Sequence, residues 1–167
     1  MEMTDDLEEL RQTTRTALRR LAKTVSVITT CWEGQRMAMA ATAVEGLSLD
    51  PPSMLICVNK TASLAAPLLE GAAFAINLLG ADHHELPGRC SAPWQGEERF
   101  AIGDWNEWGG VPVLEDSQAT FLCVPDAVHP YGSHHIVIGR VLRVRSCETV
   151  SPMVFADGKF HAIGAAA

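Results

Sequence analysis

The residues best placed to do chemistry lie between Ala38 and Lys60, in the run AMAATAVEGLSLDPPSMLICVNK. Alanines at 38, 40, 41 and 43 crowd a segment that otherwise reads as a strand, although alanine is a poor strand former. Side chains this small leave room for something to lie close against the backbone. The stretch reads as a cofactor cradle: a small-residue strand, a Ser48-Leu49-Asp50-Pro51-Pro52 corner, and an apolar strand ending on Asn59 and Lys60. His134 is a second candidate, since imidazole titrates near neutral pH, although a lone strand histidine is equally read as structural. His83, His84 and Cys90 could be taken for metal ligands. Adjacent histidines on a helix point about 100° apart, however, and no second pair closes a tetrahedron, so a solvated helix face is the reading and no metal is expected.

What is missing narrows the chemistry. The chain carries no GxGxxG after a strand, no GxxxxGK[ST] loop, no GxSxG elbow and no HExxH. A dinucleotide, if one is handled, is not held in the manner of a doubly wound nucleotide-binding fold.

The elements that must position these residues are mostly strands. Leu7, Leu10, Ala17, Leu18 and Leu21 recur at helical spacing after a capping Thr4 and the acids Asp5 and Asp6, which predicts a helix over 4–22. The β-branched run TVSVITTC predicts a half-buried strand, with a turn at 32–35 and a next strand over 36–46. Pro51 and Pro52 interrupt the pairing, SMLICVN resumes it, and a short helix over 62–70 follows. AAFAINLL is another apolar strand. Residues 81–90 read as helical with a break near Pro87 and Gly88, and 91–112 as a long surface excursion holding Trp94, Trp105 and Trp108. The tryptophans could form a lid or partner surface, or anchor that excursion to the body. Two long strands at 118–128 and 134–144 come next, then short strands near 153–155 and 160–163 about an Asp157-Gly158 turn. Many strands, few helices and no strict alternation predict a mainly β fold with flanking helices, closed or partly closed into a barrel.

At 167 residues the chain is expected to form a single domain over 1–167. A formal net charge of -7 is the wrong sign for a broad nucleic-acid surface. Five separated cysteines without a CxxC pair read as reduced, mostly buried thiols. The acidic start MEMTDDLEEL lacks the basic flank of a secretory signal, and no apolar run reaches the roughly 18 to 20 residues that span a bilayer. No membrane association and a cytoplasmic location are expected.

The same Ala38–Lys60 stretch resembles the short-chain flavin reductases, the reductase components of two-component flavin-dependent monooxygenases. Their motif resembles GMTxSSFxSxSLDPP followed by an apolar strand. Here Met39, Leu47, Ser48, Leu49, Asp50, Pro51 and Pro52 match, with Thr42 at a small hydroxyl position. The likeness continues through TVSVITT, FAINLL, Arg89-Cys90, Glu98–Phe100, GGVPVL, GSHHIVIG and Phe155–Gly158. It implies an FMN-binding split β-barrel, a homodimer, and reduction of FMN or FAD by NADH or NADPH for a separate monooxygenase component.

Carried over by position, the resemblance places Met37, Ala38, Met39, Ala40, Thr42 and Ala43 along the flavin ring and ribityl chain. Cys57, Val58 and Asn59 would line the next strand, and Ser63, Leu64 and Arg89 would lie toward the phosphate, whose charge Lys60 and Arg89 could offset. His134 would face the nicotinamide as the catalytic and substrate-binding residue, with Ser133 where the family carries an acid. Phe155, Asp157 and Gly158 would border the nicotinamide pocket. Ala38, Ala40 and Ala43 replace the family's glycine, threonine and serine. Other readings are an alanine-rich strand packed under a helix, a barrel that binds flavin without turnover, and an oxidase or electron carrier with tightly held FMN.

Overall fold

Seven antiparallel strands form the main sheet of the computed structural model, which describes residues 2–163. Helix α1 (Glu2–Leu18) leads into β1 (Lys23–Thr24), β2 (Ser26–Trp32), β3 (Gln35–Ala41), β4 (Val44–Leu49) and β5 (Pro52–Asn59). Then come α2 (Ala65–Leu69), β6 (Phe74–Leu78), α3 (Leu86–Arg89), a 3-10 turn at Gly96–Phe100, and the hairpin of β7 (Trp105–Trp108) and β8 (Val111–Leu114). The long strands β9 (Ala119–Tyr131) and β10 (His134–Ser146) precede a terminal hairpin of β11 (Met153–Ala156) and β12 (Lys159–Ala162).

The main sheet runs β3-β2-β6-β9-β10-β5-β4. Its two edge strands, β3 and β4, are consecutive in the chain and separated only by Thr42 and Ala43. Two residues cannot cross a flat seven-stranded sheet, so the sheet rolls until its edges meet at that link. The expected barrel is therefore present. The single strand expected over 36–46 is instead two strands on opposite edges, because Ala43 leaves β3 and offers its carbonyl to the Cys57 N–H at 3.0 Å.

The barrel interior holds Phe74, Ile76, Ile28, Ile56, Val58, Leu64 and Leu68. A second cluster lies on the other face of β2 and β3, where Val27 and Ala38 meet Leu86, Cys90, Phe100 and Leu114. Residues Ser26–Thr30 are consequently buried on both faces, not half-buried as the alternation suggested. While the Ser26 hydroxyl stays without a partner among the described residues, Asn77 on β6 satisfies several of the other polar groups this traps. Its amide donates to the Val27 carbonyl and to Thr29 Oγ1, while its oxygen accepts from the Leu114 N–H at 2.9 Å and from Thr120 Oγ1.

Other boundaries shift for local reasons. Helix α1 ends at Leu18 instead of residue 22, because Arg19 turns to meet the terminal hairpin. The helix expected over 62–70 shortens to Ala65–Leu69, and that over 81–90 to Leu86–Arg89, where Pro87 sits in the first turn, a position that needs no N–H, instead of breaking the helix. The excursion over 91–112 is largely structured: Gly109 and Gly110, at φ 60° and 83°, make the two-residue turn of the β7–β8 hairpin, and Trp108 is buried. Of the cysteines, Cys90 and Cys123 are buried, Cys31 and Cys57 half-buried, and Cys147 exposed, so fewer are covered than expected.

Candidate functional site

An open groove of about 1070 Å³ runs along the outer edge of β3. One wall is β3 from Gln35 to Ala40, the second is the turn Thr61–Ser63 after β5, and the third is the segment Cys90–Arg99. β3 borders it because it is an edge strand, with backbone groups that no neighbouring strand takes.

The segment 86–100 explains the alanines. Ala38 is fully buried against Leu86, Cys90 and Phe100, and the Ala40 N–H donates to the Cys90 carbonyl at 3.0 Å. What approaches the small-residue backbone there is the chain's own covering segment. The same strand thus both packs beneath a short helix and forms the groove wall.

Charge inside the groove is organised by two arginines. Arg36 forms an ion pair with Glu97 across the groove and lies 4.3 Å from the centre of the Phe100 ring. That pairing raises the Arg36 pKa and lowers that of Glu97. Arg99 donates through Nε to the Trp94 carbonyl at 2.7 Å and through Nη1 to the Ala38 carbonyl. Cys90 also lines the groove, but burial pushes its thiol up to about 11, so at neutral pH it is protonated and a poor nucleophile.

Of the residues expected to bind a cofactor, Met37, Ala38, Met39, Ala40 and Ser63 meet in the groove. Val58 and Leu64 do not: both are buried in the barrel interior, Val58 because it alternates with Cys57 on β5 and Leu64 because it precedes α2. Cys57 falls on the opposite, outward face of β5. Asn59 shapes the groove wall indirectly, its Oδ1 accepting from the Thr61 N–H at 3.0 Å and hydroxyl at 2.9 Å. Lys60 is exposed beside it, and its N–H donates to the Ser133 carbonyl. Arg89 does not line the groove; its guanidinium stacks 3.9 Å from the centre of the Trp94 ring, and Trp94 does.

Of the residues expected at the nicotinamide, Phe155 and Asp157 lie together away from the groove, in company with Thr42, which was expected along the flavin. Thr42 joins Phe155, Asp157, Arg15 and Arg19 around a separate cavity of about 190 Å³. Asp157 is held by Arg19 at 3.0 Å, and Gly158 completes its turn at φ 77°. His134 opposes Asn59 across the β5–β10 pair, and its Nδ1 lies 2.8 Å from the Ser133 hydroxyl. Arg36, Arg99 and Thr61 are groove residues that sequence reasoning missed. The ERF run was the available signal for Arg99, but only the fold brings it to Ala38.

The chain is similar to known proteins over most of its length. The family model described as flavin reductase like domain matches residues 18–164. The chain is 35% identical over 158 residues to the FADH(2)-dependent resorcinol hydroxylase, reductase component, of Rhizobium sp. (strain MTP-10005), covering 93% of this chain and 88% of that one. It is 32% identical over 150 residues to the FMN reductase (NADH) RutF of Methylorubrum populi, covering 89% and 74%. Among solved structures it resembles the NADH:FAD oxidoreductase SgcE6 of Streptomyces globisporus C-1027 in complex with NAD and FAD fragments, at a TM-score of 0.85 and 25% identity, covering 93% of each chain. It also resembles a nitrilotriacetate monooxygenase component B homologue from Mycobacterium thermoresistibile, at a TM-score of 0.86 and 27% identity, covering 98% of this chain and 89% of that one.

Proposed function

Since the chain belongs to the flavin reductase like domain family, we propose that it is an NAD(P)H-dependent flavin reductase that supplies reduced FMN or FAD to a separate monooxygenase. The observation that carries this reading is the groove along β3. At about 1070 Å³ it has room for a flavin ring with a nicotinamide over it, and it offers the Ser63 hydroxyl and the guanidinium groups of Arg36 and Arg99 to an acceptor-rich anionic ligand.

A flavin supplies the hydride-accepting ring, so the chain itself needs neither a strong acid nor a nucleophile. Its residues bind and orient. Met37 to Ala40 flank the ring, Ser63 and Thr61 reach its polar tail, and the Cys90–Arg99 segment shields one side from water. His134, fixed by Ser133, orients the nicotinamide.

The active unit in this reading is a homodimer in which residues 1–167 act as one domain. Edge strand β4 exposes Leu47 and Leu49, the latter at 92%, and the outward side of β10 exposes Leu142 and Val144. Among the described residues no helix is long and apolar enough to cross a membrane, in keeping with a cytoplasmic location. The test is to follow the loss of reduced-nicotinamide absorbance with FMN, FAD or riboflavin present. Oxidation dependent on added flavin is expected; none with either NADH or NADPH would overturn the proposal.

A further inference from the structure

We propose that Arg36 is the seat for the phosphate of the flavin and that Glu97 is its displaceable counter-ion, so that a phosphorylated flavin binds by exchange for a carboxylate. The inference rests on the groove being the flavin site. Arg36, Ala38 and Ala40 alternate onto the same side of β3, where Arg36 meets Phe100 and Glu97. With Met37 to Ala40 along the ring, Arg36 stands one residue further on, at the end of β3 remote from Thr42, where the tail of the ligand runs.

The two arginines of the groove are committed differently. Arg99 is bonded to the backbone carbonyls of Trp94 and Ala38, which cannot leave. Arg36 is bonded, through Nε at 3.1 Å and through Nη2, to the carboxylate of Glu97, which can. Its guanidinium is held without that carboxylate, since it lies 4.3 Å from the centre of the buried Phe100 ring. The Arg36 side chain is 28% exposed and that of Glu97 69%, so the anion is the looser partner. Withdrawal of Glu97 also leaves its turn intact, because the capping bonds there belong to Gln95 and Glu98, and Arg99 ties the segment back to β3.

A fixed guanidinium already paired with two oxygens is shaped for two oxygens of a phosphate. A phosphate monoester brings about 1.5 to 2 negative charges at neutral pH against one for the carboxylate, so the exchange favours the ligand. The cost of releasing Glu97 is subtracted from the affinity of the flavin, which suits a flavin that must depart for another protein once reduced.

The experiment measures dissociation constants for FMN and for riboflavin, which lacks the phosphate, by quenching of flavin fluorescence without nicotinamide. Glu97→Gln should tighten FMN by about threefold to fivefold, the upper end for an exposed ion pair, and leave riboflavin unchanged. Arg36→Gln should weaken FMN by about tenfold, the scale of one charge-assisted hydrogen bond, and again spare riboflavin. Arg36→Lys, with a point charge in place of the fork, should lie between it and the parent protein, and serves in its place if the glutamine variant does not fold. Adding Glu97→Gln to Arg36→Gln should gain less than Glu97→Gln gains alone, because the carboxylate acts through the guanidinium; full additivity overturns the proposal. FMN binding that Glu97→Gln leaves unchanged or weakens also overturns it, as do equal shifts for FMN and riboflavin. So does an Arg36→Gln variant that binds FMN as the parent does but shows a raised KM for reduced nicotinamide, which would assign Arg36 to a phosphate of the dinucleotide. Failure of the parent protein to bind either flavin would instead refute the reading of the groove.

Discussion

Arg19 and Asp157 hold each other in both directions. Nε of Arg19 donates to the Asp157 carboxylate at 3.0 Å, Nη2 donates to the Asp157 carbonyl at 3.0 Å, and the Asp157 N–H returns a bond to the Arg19 carbonyl at 2.9 Å. This clasp fastens the end of α1 to the β11–β12 turn, 138 residues away in sequence. It also occupies a carboxylate that position alone assigned to the nicotinamide pocket.

Arg19→Ala and Asp157→Ala should therefore each raise the KM for reduced nicotinamide by no more than about fivefold, the ceiling for an exposed pair worth roughly 1 kcal/mol. The double variant should be no worse than Arg19→Ala, which already loses both side-chain bonds, whereas Asp157→Ala keeps the one to its backbone carbonyl. Additive losses in steady-state kinetics would mean that Asp157 meets the substrate directly.

His134 is tested through its neighbour. His134→Ala should raise the KM for reduced nicotinamide by about tenfold while flavin binding stays within about twofold, and Ser133→Ala should give a smaller loss of the same kind because only the 2.8 Å orienting contact goes. Equal losses in flavin and nicotinamide binding would make His134 structural.

Asn77 and Gly139 carry predictions about stability alone. Asn77→Ala leaves the Leu114 N–H and the Val27 carbonyl short of a partner inside the fold, and should lower the unfolding free energy by about 3 kcal/mol in denaturant titrations. Gly139→Ala would place a Cβ 2.5 Å from Phe74 Cζ and 3.0 Å from Cys123 Cβ. Overpacking there should cost about 1–3 kcal/mol, and a variant as stable as the parent would show that Phe74 can retreat.

The thiols predict an alkaline limit. Burial pushes Cys90 to about 11 and Cys123 to about 12 from an ordinary 9.0. Because the folded state favours the protonated thiols, their contribution is complete below pH 9.0 and is lost as pH rises through those higher values. Stability measured against pH should fall over that alkaline window, and Cys90→Ser with Cys123→Ser should flatten the fall. At pH 8 exposed Cys147 should react with a thiol reagent well before Cys90 and Cys123.

The sequence by itself determined the strand-rich class, the flavin reductase likeness and the wall of the groove from Met37 to Ala40. Those features follow from local pattern: β-branched runs, hairpin turns such as Asp157-Gly158, and the SLDPP corner, each readable within a few residues. Tertiary structure alone decided the rest. Which strands are edges depends on pairing across the whole chain, so the break at Thr42–Ala43 that sends β3 and β4 to opposite edges leaves no local mark. The burial of Val58 and Leu64, the clasp that occupies Asp157, and the meeting of Arg99 with the Ala38 carbonyl are likewise long-range events. The alanines were legible as a place of close approach. Only the folded chain shows that the first thing to approach them is the segment from Leu86 to Phe100, which leaves the groove beside it for a ligand.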